Sequence, residues 1–138
     1  MNLDDARSAI IHTLGRMNAL YRQPVFDEWV LVKLASEQGA ILAYHGPRAE
    51  KYQRKFKEDI GPLRTELDQR QMTVGDFAFV QDATGTRFDA CMRLGPASYL
   101  FCNHTGKSMA DIRQDPLWLE AQKPFAGLGT KLRSDPLE

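Results

Sequence analysis

The chain lacks net charge, lacks any long apolar run and has only two cysteines, and each shortage closes a class of function. Its 18 lysines and arginines balance 18 aspartates and glutamates. No overall basic field therefore draws in nucleic acid, and no acidic field draws in a cationic partner. No apolar stretch approaches the roughly 20 residues that cross a bilayer, so membrane insertion is not expected. Cys91 and Cys102 follow an opening, MNLDDARSAI, that carries acids where a leader would carry bases. They read as reduced thiols of a soluble, bacterial-type cytoplasmic protein. No repeat, low-complexity tract or linker divides the sequence. A chain of 138 residues can bury a core without disulfides or metal, so a single domain over 1–138 is expected.

What is present is a clear succession of periodic segments. Asn2 or Asp4 can cap a first helix reaching about Tyr21, with Leu3, Ala6, Ile10, Leu14 and Met17 on one stripe and Ile11 beside it. Pro24 ends it. Residues 26–34, FDEWVLVKL, place Val30, Val32 and Leu34 on one side of a strand and Trp29 and Leu31 on the other. The turn SEQG and residues 39–45, GAILAYH, complete a hairpin. Residues 46–70 then form the longest helical pattern, with Ala49, Tyr52, Phe56, Ile60, Leu63 and Leu67 at spacings of three or four. Pro47 is well placed to begin it. Gly61-Pro62 leaves the carbonyl of Glu58 without its donor, which predicts two segments or one kinked helix, although the stripe stays in phase.

Three strands are predicted next, at 74–80, 85–94 and 97–103, joined by short turns as an antiparallel meander. Ser108 and Asp111 have capping-box spacing for a short helix ending near Asp115. Leu117, Ala121, Phe125, Leu128 and Leu132 make a last stripe, broken by Pro124, Gly127 and Gly129, and Asp135-Pro136 is expected to end the order.

The hairpin WVLVKLASEQGAILAYHG running into the long helix, followed by VGDFAFV, GTRFDACMRL and LGPASYLFCN, resembles the roadblock/dynein light chain family over nearly the whole chain. The resemblance implies an α+β fold of order α-β-β-α-β-β-β-α, with a five-stranded antiparallel sheet. The first and last helices would lie on one face and the long middle helix on the other. It also implies a non-enzymatic homodimer, in which middle helices and third strands pair, serving as a scaffold or as a regulator of small GTPases or motors. An edge strand at 74–80 fits such pairing, and Asp76 could protect that edge.

The long helix is basic at first, with Arg48, Lys51, Arg54, Lys55 and Lys57, and more acidic later, with Glu58, Asp59, Glu66 and Asp68. That asymmetry suits antiparallel self-association, although a solvated face would look the same. Because the apolar stripe is taken up by the sheet, the expected interaction set is Lys51, Lys55, Asp59 and Glu66, with Val74 and Asp76 of the neighbouring edge. The basic run lacks interleaved exposed aromatics, which argues against nucleic acid. Tyr44, Tyr52, Trp29 and Trp118 read as core or interface residues.

Strand parity puts Arg87, Asp89, Cys91 and Arg93 on one side. A hairpin centred at Gly95-Pro96, or one residue later, sets Ser98, Leu100, Cys102 and His104 against that side. Cys91, Cys102 and His104 could then be zinc ligands, with His45 added, or a nucleophile with its base. Zinc sites usually show tighter paired spacings, so buried structural thiols are the preferred account, and neither metal nor cofactor is expected. Gly106-Lys107-Ser108 has the ending of a phosphate loop, but Phe101 stands where its first glycine belongs, so nucleotide hydrolysis is rejected and only a weak anion site is left. Two other classes stay open: a small-molecule-binding sensory domain with its ligand between sheet and long helix, and a dimeric secretion-type chaperone.

Overall fold

A computed structural model of the chain describes residues 1–22, 26, 28–35, 39–46, 49–79, 90–103 and 114–138. The elements are α1 (Leu3–Tyr21), β1 (Glu28–Lys33), β2 (Ala40–His45), α2 (Ala49–Arg70), β3 (Phe77–Phe79), β4 (Ala90–Arg93), β5 (Ser98–Asn103), α3 (Trp118–Ala121) and α4 (Lys123–Ser134). The start of the helix expected from Ser108, the Gly106-Lys107-Ser108 loop, Arg87, Asp89 and His104 lie outside the described residues.

The strands form one antiparallel sheet in the order β2-β1-β5-β4-β3. The hairpin β1-β2 comes first, α2 carries the chain to the far edge, and the β3-β4-β5 meander returns until β5 pairs with β1. Central β1 is buried on both sides, as its apolar residues on both faces predict. Trp29 and Leu31 join one core, with Ile10, Leu14 and Met17 of α1, Phe125, Leu128 and Leu132 of α4, and Met92 and Leu100. Val30 and Val32 join a second core on the opposite face, with Phe56, Leu63 and Leu67 of α2, Cys91 and Phe101. Each such side chain, fully buried, contributes roughly 1.5–3 kcal/mol from burial alone.

Local chemistry accounts for several of the helix features. The Asn2 side chain accepts from the Asp5 amide at 2.8 Å and caps α1, while Arg22 at φ 56° closes it in the left-handed conformation. In α2, Pro62 lies within one uninterrupted helix and is exposed, so water can satisfy the carbonyl that loses its donor. α4 takes Pro124 in its first turn and continues through both glycines.

The end of the chain departs from expectation. Leu137 is buried, and its amide donates to the Leu94 carbonyl at 2.9 Å, so order continues past Asp135-Pro136. Gly95 makes this docking possible, because a Cβ there would stand 2.0 Å from the Leu137 carbonyl oxygen.

Candidate interaction surface

α2 runs obliquely over the sheet, which separates the residues that the sequence grouped together. Lys51 is exposed near the start of α2, where Gln53, Phe56 and Lys57 flank the β2 edge. Lys55 and Asp59 follow it along the same helix. Glu66, near the other end, is half-buried, and its Oε1 accepts from Arg70 Nε at 3.0 Å and Nη2 at 2.8 Å. Val74 is half-buried and packs against the α1/α4 core. Val74 and Gly75 form a turn, so the predicted 74–80 strand begins only at Phe77.

Asp76 is engaged within the chain. Its Oδ2 accepts from the Thr73 amide at 2.9 Å and from the Thr73 hydroxyl at 3.0 Å, and Oδ1 lies 3.6 Å from Arg133 Nη2. The Thr73 amide, foremost, holds its carboxyl below the usual range. The turn is joined to β4 as well, since the Gly75 amide donates to the Arg93 carbonyl at 2.8 Å. Asp76 thus fixes the approach to the β3 edge.

The proposed thiol cluster is not assembled. Arg93 pairs with Tyr99 and Cys91 with Phe101, whereas Cys102 pairs with Ala90. The hairpin is symmetric about Pro96, midway between the two centres that the sequence suggested. Displacing the register by one residue reverses the parity of the returning strand. Arg93 holds this turn by donating from Nε to the Gly95 carbonyl at 3.1 Å, from Nη2 to that of Pro96 at 2.7 Å and from Nη1 to that of Met72. Cys91 therefore faces α2 and Cys102 faces α1 and α4. Burial pushes the Cys91 thiol well above its ordinary pKa, opposite to what a nucleophile needs. No metal-binding group of His, Cys, Asp and Glu occurs among the described residues. Thiol reagent added to folded protein should leave both cysteines unmodified over hours and modify both in denaturant. Rapid native labelling would contradict this burial.

Both ends of the sheet open onto grooves. At the β3 edge, a groove of about 660 Å³ is lined by Arg70, Gly75, Asp76, Ala78 and Arg133, with Leu119 at its rim. Leu119 is 69% exposed, more than any other large apolar side chain among the described residues. At the β2 edge, a groove of about 740 Å³ runs between Arg7 of α1 and Gln53 and Lys57 of α2. A smaller cavity of about 300 Å³ lies under the second half of α2, between Arg64, Leu67, Arg93 and Tyr99.

The chain matches no protein-family model, curated protein or solved structure. Among the described residues no helix is long and apolar enough to cross a membrane. Leu119 and Arg133 of the β3 groove and Arg7 of the β2 groove were absent from the sequence-based set. Leu119 had a legible signal, as an apolar residue off the stripe of its own helix. Arg7 had none, because its place beside β2 comes from tertiary packing.

Proposed function

We propose that this chain is a non-catalytic, dimerising protein-interaction module of roadblock-like organisation, with a small GTPase or a regulatory complex as its partner class. The observation that carries this reading is the β3 edge. Among the described residues β3 pairs only with β4, which leaves one row of its backbone donors and acceptors without a strand beside it, and Leu119 is exposed at the same groove. Such an edge needs a partner strand or a cover, and a second copy of the chain supplies one through a two-fold axis. The acidic second half of α2, with Glu66 and Asp68, lies toward that end, while Lys51 lies toward the other, so the dimer contact uses only part of the expected interaction set. The partner class rests on the family resemblance alone.

Size-exclusion chromatography with light scattering tests the dimer. The wild-type chain should have dimer mass at tens of micromolar. Leu119→Asp should weaken association by roughly ten-fold or more, as expected for an interfacial leucine worth about 1.5–3 kcal/mol. A wild-type monomer at that concentration would overturn the proposal.

A further inference from the structure

The opposite edge of the sheet has a different character. Among the described residues β2 pairs only with β1, and its residues are exposed or half-buried along the whole strand. The groove beside it is walled by Arg7 on the α1 side and Lys57 on the α2 side, and among the described residues no carboxylate lines it. Between these walls lie Ile41, Leu42, Ala43, Tyr44 and Phe56, with Tyr44 48% exposed. The buried Gln53 side-chain amide nitrogen also borders the groove and has no acceptor among the described residues. An open strand edge, an apolar floor and cationic rims are the components of strand-addition recognition, in which backbone hydrogen bonds give affinity and flanking side chains give selectivity.

We propose that the β2 edge takes up an extended, acidic segment of another protein as an additional strand. This inference rests on the interaction-module reading and assigns that module a second contact, separate from the β3 edge. The shape of β2 disfavours a second copy as occupant. β2 carries a bulge, since Ala43 pairs with Leu31 and Ile41 with Val32, leaving Leu42 between them without a partner. A two-fold pairing of β2 edges would set bulge against bulge and bring the Arg7 and Lys57 rims of both copies together. An acidic strand avoids both conflicts, because its own backbone can follow the bulge and its carboxylates meet the cations.

The test uses the full chain and a fluorescein-labelled peptide alternating glutamate and valine, with the lysine-valine peptide as its counterpart. Fluorescence anisotropy should show binding of the acidic peptide only, weakening as salt rises. The variant combining Arg7→Glu and Lys57→Glu, both exposed positions, should bind it roughly ten-fold or more weakly, equal to about 1.4 kcal/mol. Hydrogen exchange with bound peptide should show new protection in residues 40–45. Equal binding of the lysine peptide, no binding at millimolar peptide, or protection confined to other segments would each overturn the inference. Protection of 40–45 that grows with protein concentration alone would overturn it in favour of a second copy. If dimerisation through β3 holds while the peptide does not bind, the interaction module stands and the β2 site falls.

Discussion

Phe125→Ala is expected to destabilise the protein by about 4 kcal/mol, the usual scale for removing a phenylalanine from a packed core. Phe125 is 2% exposed and joins three parts of the chain. It stacks on Phe77 of β3 with ring centroids 4.2 Å apart, and meets Phe26 edge-on at 6.2 Å. Phe77 in turn contacts Phe79 at 5.5 Å, and Phe79 contacts Trp118 at 5.2 Å. Deleting the ring opens a cavity where α4, the edge strand and the segment before β1 converge. Urea unfolding followed by circular dichroism should show a lower midpoint with little change in slope. Phe125→Leu should retain more than half of the lost stability, and a loss below about 1 kcal/mol for Phe125→Ala would contradict this packing.

The second large effect reverses the ordinary rule for helices. Replacing glycine with alanine inside a helix normally stabilises by about 1 kcal/mol. Gly127 obeys this rule, since a Cβ there meets nothing within 4 Å. Gly129, two positions later in α4, does not. Its Cβ would lie 2.5 Å from the Gly75 carbonyl oxygen, a backbone atom of the turn leading into β3. Gly75 has the reciprocal constraint: its φ is +93°, and its own Cβ would lie 2.6 Å from the Gly129 oxygen. Gly129→Ala must therefore push α4 away from the β3 turn, and a net loss of about 2 kcal/mol is expected. Gly127→Ala should raise the thermal midpoint while Gly129→Ala lowers it, and equal signs in the two variants would refute the close approach.

These glycines also show where sequence reasoning stops. Both in α4 read as interruptions, because a helix pattern scores glycine by propensity and holds no information about the turn that one of them must accommodate. The alternation of β1 was legible because a strand buried on both faces must carry apolar residues at successive positions. The apolar stripe of α1 and its end at Tyr21 were legible for the same kind of reason. The parity of Cys102 was not. It depends on one residue in the turn around Pro96, where the Arg93 guanidinium donates to the Gly95 and Pro96 carbonyls, and the residue types of Gly95-Pro96 alone allow more than one register. Leu137 was missed because Asp-Pro is a strong stop signal, while its burial depends on Gly95 leaving room more than 40 positions away. The charged positions of α2 could be named from the sequence, but not that the path of the helix sets Lys51 toward the β2 edge and Glu66 toward the other.

The sheet divides the interior in two. On one face α1 and α4 cover a core that also takes in Phe26, Ala121 and Leu137. On the other, α2 rests on the sheet through Phe56, Leu63 and Leu67 among the described residues. Because α2 borders both edge grooves, any shift of that helix over the sheet alters both at once, so the two edges are mechanically linked through one element.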